Sequence, residues 1–465
     1  MELLVRNKSF QYSIIVLFGV LIGLMVSVDP VITSLLIVGA LFVVIVLPIP
    51  MRHTLYFMAA IVFIDISPVV LAGSYIRVHQ LLFLVYFLQF VFFIIKTKKL
   101  NLNVPLKWSL FYWFITYFLA YNHALSTEDF WVIIVGQSYL YLFYLVIYNH
   151  VSNINRDQFN KLIKVFLNSG VFIALLGLLQ WPLLYLGVLT NHYDNLGVPR
   201  PSSLLREPDW YGLMCAYISI HLLTFIIFKD GLIKNKKKKF LICLLGVVLS
   251  LSRASWLTFA VGAFILLIVS KKISKVRLIK FGTAITTFVV FVGCVIFLVF
   301  PSLFEVIYNR VHPETSTTTD MGAADSRMAS IEIMKDFIAF HPWVGNGVGG
   351  MNWISQNKGI TTQYIDGGNI NSGRGNANII LTSLFDSGII GTFFLVSFLV
   401  IYCFVMYRAY KKTKDYILLG FFVSFLALLT DFMFNNGIRF AFVWFHLGIS
   451  LGYIVILRKV KNNVK

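Results

Sequence analysis

Unbroken apolar runs, each close to the roughly 20 residues that cross a bilayer as a helix, recur along the 465-residue chain and constrain its fold more than any other feature. Spans are predicted near 10–28, 31–49, 54–72, 78–96, 106–122, 130–149, 161–187 and 208–228, and again near 279–300, 389–409, 416–434 and 440–457. In hydrocarbon every backbone N–H and C=O has to be satisfied inside the protein, so such runs become helices. They are continuous rather than alternating, which excludes a β-barrel. With 58% hydrophobic and 13% charged residues, no soluble core can hide the apolar surface. The fold class is an all-α polytopic membrane protein. The N-terminus lacks a small-residue cleavage site and runs straight into an apolar segment, so it reads as a first span.

Orientation follows from the charges. The basic run KDGLIKNKKKK (229–239) and a second run at 271–280 both belong on the cytoplasmic side by the positive-inside rule. The stretch between them is too long for one span and short for two. Two short helices are therefore expected, near 240–252 and 254–270, as a hairpin with Ser252 and Arg253 at its tip. About 12–14 crossings result, with both termini inside. Lysine predominates inside. The outer cations are Arg77, Arg200, Arg206, Arg253, Arg310, Arg327, Arg374 and Arg439, with Lys335 and Lys358. The guanidinium fork binds phosphate bidentately and stays charged, so this face suggests a diphosphate held at the membrane boundary. Each arginine alone also fits headgroup contact or a carboxylate partner.

The net charge of +19 reads as lysines against anionic membrane lipids, not as a nucleic-acid surface. The four cysteines sit singly in apolar runs with no metal-ligand spacing, so neither a metal nor another cofactor is expected. Three domains are expected: membrane helices over 1–300, including the hairpin at 240–270; an external loop domain over 301–388, ending in a helix that dips in near 376–388; and membrane helices over 389–465.

Four outer segments carry chemistry-bearing residues. The first, PRPSSLLREPDWY (199–211), holds Arg200, Arg206 and Glu207, with Pro208 and Asp209 reading as ordinary helix-start residues. The second is the tip around Arg253, where a charge near membrane depth marks function by default. In the third, Arg327 opens an amphipathic helix that ends at HPWVGNGVGG (341–350), with a His341–Pro342 turn and glycine amides suited to an anion. The fourth runs from Arg374 to Gly391 and holds Asn378 and Asp386.

In chain order these are an arginine-rich segment with a Glu-Pro pair, L-S-x-S-R-[AG] on a short hairpin (LSLSRAS, 249–255), and an arginine followed by h-P-h-h-G-x-G (Arg327, then HPWVGNG). N-x-x-L-x-x-x-x-[ED]-x-G-x-x-G follows, from Asn378 to Gly391. The set resembles the O-antigen ligase and polymerase superfamily over roughly residues 195 to 395. The resemblance implies a membrane glycosyltransferase of C-type (GT-C-like) architecture in the bacterial cytoplasmic (inner) membrane, with an external active site. It also implies inverting, metal-independent transfer from an undecaprenyl-diphosphate-linked oligosaccharide. By the same resemblance Arg206 or Arg200, Arg253 and Arg327 clamp the donor diphosphate. Glu207 or Asp386 would be the first choice of base. Arg374, Asn378, His341 and Arg439 join Arg200 and Asp386 as substrate-binding candidates, although His341 also fits a purely structural turn.

The ligase pattern has a histidine just before the Asn of the last motif, and this chain has Ala377. That departure favours a polymerase of O-antigen or capsule type, with a second lipid-linked unit as acceptor and a chain-length regulator as a partner. A ligase and a lipid-linked-sugar flippase are the alternatives. A flippase needs charges along a path through the bundle, where Asp65 and Asp431 are the clearest.

Overall fold

The computed structural model describes residues 49–67, 69–71, 74–98, 100, 105–189, 199–229, 231–270, 331–350, 353–354, 363–366, 369–372 and 378–463. The spans expected near 10–28 and 279–300 and nearly all of 31–49 lie outside these residues, as do Arg327, Arg374 and Ala377.

The described chain is helical apart from two short antiparallel hairpins. Its elements are α1 (Met51–Ile61), β1 (Val69–Leu71), β2 (Ser74–Ile76), α2 (Val78–Thr97), α3 (Lys107–Leu119), α4 (Thr127–Val151), α5 (Arg156–Tyr185), α6 (Pro208–Ile227), α7 (Lys236–Leu249) and α8 (Arg253–Ser270). A helical stretch at 331–340 follows. Then come β3 (Gln363–Asp366), β4 (Asn369–Ser372), α9 (Ile379–Thr413), α10 (Tyr416–Phe432) and α11 (Ala441–Asn463). Seven of these helices are long and apolar enough to cross a membrane: α2, α4, α5, α6, α8, α9 and α11.

Local chemistry sets the ends. Ser126 opens α4 by accepting from the Asp129 amide at 3.2 Å, with Glu128 and Asp129 in the first turn. Asn155 and Gln158 form a reciprocal capping box at α5. Asp415 accepts from the amides of Ile417 and Leu418 at the start of α10.

The span expected at 54–72 is not one helix. Helix α1 ends at Ile61, and the chain turns into the β1–β2 hairpin, registered Val69↔Ile76 and Leu71↔Ser74. Pro68 disfavours helix at the residue before it, and a lone Asp65 in a lipid-facing helix would be costly. Asp65 instead forms an ion pair with Arg77, and its amide donates to Leu204 O at 3.0 Å.

Helices α6 and α11 form the centre of the bundle, with 83% of their apolar windows buried. Polar side chains at that depth pair with each other, since lipid offers no partner. The Tyr217 hydroxyl meets His446 Nδ1 and the Tyr402 hydroxyl meets Nε2, each at 2.8 Å, which ties α6, α9 and α11 together. Ser424 of α10 meets His221 of α6 at 2.9 Å.

The two ends of the bundle differ in their cations. One end carries Lys96, Lys98, Lys107, the lysines of 229–239, 411–414 and 459–461, with Arg52, Arg156, Arg408 and Arg458. It is cross-linked by Lys459 Nζ to Ser152 O at 2.7 Å and by Arg156 to Asp415 at 3.5 Å. The other end gathers Arg77, Arg200, Arg206, Arg253 and Arg439, with Lys335.

Candidate functional site

At the arginine end, α7 and α8 form a hairpin joined by residues 250–252. Its serines build the turn. Ser250 Oγ donates to Val247 O at 2.7 Å, Ser252 Oγ accepts from the Ser255 amide at 3.4 Å, and Ser255 Oγ donates to Asp209 O at 3.3 Å. Trp256 Nε1 closes the base by donating to Val247 O. Arg253 is the first residue of α8, and its side chain is exposed, with no polar partner among the described residues.

Arg200 and Arg253 therefore do different things. The Arg200 side chain is only 11% exposed. Its Nε donates to Ser250 O at 2.8 Å and its Nη2 meets Asp209 Oδ1 at 2.6 Å. It braces the tip against the start of α6 through two of its three guanidinium nitrogens. Asp209, read from sequence as a helix-start residue, is the carboxylate that holds this brace. Arg200→Ala should cost roughly 1.5–3 kcal/mol, the range for a charge-assisted hydrogen bond, with Arg200→Lys intermediate. Thermal unfolding in a membrane mimetic measures both, and an unchanged Tm for Arg200→Ala contradicts the bracing role. Arg206 and Glu207 are half-buried just before α6, and Glu207 takes the N-cap position without a side-chain cap bond.

The last two motifs meet in one construction. Helix α9 is broken at Gly388 (φ 63°, ψ −165°), so the dipping helix and the span expected at 389–409 are limbs of one element. Non-helical backbone at membrane depth persists only where protein satisfies its polar groups. Here the amides of Ile389 and Ile390 donate to Pro342 O and Trp343 O at 2.8 and 3.2 Å. Phe385 O accepts from the Asn346 amide at 2.8 Å. The approach requires glycine on both sides. A Cβ on Gly388 would lie 2.4 Å from the Trp343 carbonyl, and one on Gly345 (φ 82°) would lie 2.5 Å from the Ser387 amide.

The expected anion cradle in the glycine cluster is thus corrected at its first positions. The Gly345 amide is taken by His341 O and the Asn346 amide by Phe385 O, so this segment clamps the broken helix. Met334, Ile354 and Phe385 form a small core beside the clamp. His341 stacks on His123 with ring centroids 4.0 Å apart. Reduced hydration, then the neighbouring His123, pulls the His341 pKa below the ordinary histidine value. Asn378 caps α9 by accepting from the Leu381 amide at 2.8 Å.

The clamp fixes Asp386, two residues before the break at Gly388. Asp386 is 4% exposed, and its Oδ2 faces Arg439 Nη2 at 3.5 Å. Arg439 ends a 3-10 turn, Gly437–Arg439, between α10 and α11. The next residue, Phe440, meets Trp210 edge-on at 4.7 Å between ring centroids, which links this pair to the segment that carries Arg206, Glu207 and Asp209. The structure thus brings Arg200, Arg206, Glu207, Arg253, His341, Asn378, Asp386 and Arg439 to one end of the bundle. Sequence reading missed Asp209 as Arg200's partner and Asn436 beside Arg439. For Asn436 the only signal was an Asn-Asn-Gly turn between two apolar runs.

In comparison with known proteins, residues 240–396, from the hairpin into the second limb of α9, match the family model described as O-antigen ligase. No curated protein matches the chain significantly.

Proposed function

Since the chain is of the O-antigen ligase and polymerase superfamily, we propose that it polymerises polyprenyl-diphosphate-linked oligosaccharide units into O-antigen or capsular polysaccharide. In this reading the arginine end faces outward from the bacterial cytoplasmic membrane, both termini are inside, and the donor diphosphate sits over the hairpin tip. Arg253 and Arg206, with Arg327, form its clamp, and the transfer inverts the sugar without a metal.

The observation that carries this reading is Arg253, exposed and without a described polar partner, on a tip that a neighbouring arginine holds in place. As the glycosidic bond breaks, negative charge grows on the leaving diphosphate. A fixed guanidinium then stabilises the transition state more than the ground state. Ala377, where the ligase pattern has a histidine, supports a polymerase. The description of the matching family favours a ligase as the second reading, and the acceptor separates them. Cells that lack the protein should accumulate single lipid-linked repeat units and lose the glycan ladder. In cells that lack a ligase, full-length chains still form but stay on the carrier lipid, and that outcome would overturn the polymerase reading.

The segregation of lysine and arginine supports the sidedness. A cysteine in place of the exposed Trp343 should react with a membrane-impermeant maleimide from outside the cell, and one in place of Lys412 should not. The opposite pattern contradicts the orientation.

A further inference from the structure

We infer that the cleft between Asp386 and Arg439 is a subsite for a hydroxyl group of the acceptor sugar, a substrate class that rests on the polymerase reading. A carboxyl group has several hydrogen-bonding positions to fill, protonated or ionised. Asp386, almost fully buried, has one described hydrogen-bond partner, Arg439, at the outer limit of hydrogen-bond length. A buried polar group so poorly matched is costly. A pair that served only to pin the break in α9 would be shorter and preferably bidentate.

The second observation is independent of the ion pair. Asn436 Oδ1 is buried, has no hydrogen-bond partner among the described residues, and lines the same cleft. Buried polar atoms are nearly always satisfied, so an orphan acceptor beside an under-coordinated carboxylate calls for a donor from outside the protein. The cleft encloses about 220 Å³ including the open space at its mouth, and its inner part has room for at most one water-sized group. Tyr117 and Trp113, both buried, close its inner end, and Gln137 and Ser383 add further polar atoms.

A sugar hydroxyl reaching in past Arg439 fits this set. It donates to Asp386 or to Asn436 Oδ1 and accepts from Arg439. Arg439, 34% exposed, marks the mouth on the arginine end. The contact between Phe440 and Trp210 places that mouth beside the segment leading into the donor clamp.

The test uses the full chain in lipid nanodiscs and the repeat-unit oligosaccharide released from its carrier lipid. Saturation-transfer NMR reads binding, and a transfer assay reads KM separately for lipid-linked acceptor and donor. Asp386→Asn and Asn436→Ala should each weaken oligosaccharide binding and raise the acceptor KM about ten-fold or more, with the donor KM unchanged. Asn436→Ala keeps the test sharp if Asp386→Asn folds poorly, because Asn436 Oδ1 bonds nothing in the described protein. Wild-type-like binding and acceptor KM in Asn436→Ala, or in a folded Asp386→Asn, overturn the subsite while polymerisation stands. A wild-type chain that binds the oligosaccharide through these residues yet makes no polymer overturns the polymerase reading and leaves the subsite in place. A wild-type chain that neither binds nor polymerises overturns both.

Discussion

Arg253→Ala should leave the protein folded in its membrane and lower chain elongation by about 100-fold or more. Removing one donor that stabilises developing charge typically costs 10²–10³ in turnover. The fold should tolerate the change because Arg253 is exposed and makes no polar contact with the described residues. The turn beneath it is held by Ser250, Ser252, Ser255 and Arg200, all of which remain. Arg253→Lys should rescue poorly, because a point charge on a flexible stem replaces a planar fork. Arg327→Ala should match Arg253→Ala. Single-turnover transfer in membranes with equal protein content measures all three, and wild-type ladders from Arg253→Ala contradict the donor clamp.

The second large effect concerns stability. Gly388→Ala should disrupt the docking of the 342–346 segment on α9. The Gly388 backbone (φ 63°, ψ −165°) lies in a region that is essentially glycine-only, at a cost of order 1–3 kcal/mol for another residue. The new Cβ would also collide with the Trp343 carbonyl at 2.4 Å, and overpacking adds roughly 1–3 kcal/mol. Relief requires the Trp343 segment to withdraw, which breaks the bonds from Ile389 and Ile390 and exposes Phe385. Hydrogen exchange at the Ile389 and Ile390 amides should accelerate well before global unfolding. Gly136→Ala is the control, since its Cβ meets nothing within 4 Å. Unchanged protection at residues 389 and 390 contradicts the clamp.

The helices were largely legible because lipid leaves the backbone few options, and a long apolar run announces itself. The paired helices at 236–249 and 253–270 follow from two lysine runs too close together for full spans. The break after α1 was not legible. Hydropathy is blind to a turn within an apolar run, and the partners that make it, Arg77 and Leu204, come from other segments. The glycine cluster was visible as a motif, but its role depends on Gly388, some forty residues away, whose backbone fills the space the missing side chains leave. Arg200 and Arg253 looked equivalent as outer arginines. Only burial separates a brace from an exposed guanidinium, and burial depends on Ser250 and Asp209 meeting between two helices.

If the arginine end moves glycan from one lipid diphosphate to another, purified protein in liposomes needs only the lipid-linked repeat unit as substrate. It should then make a ladder of longer glycans still attached to lipid diphosphate, with free lipid diphosphate released in step, and neither product should come from Arg253→Ala. Unchanged repeat units from active wild-type protein, with transfer appearing only when a separate lipid-core acceptor is added, would contradict it.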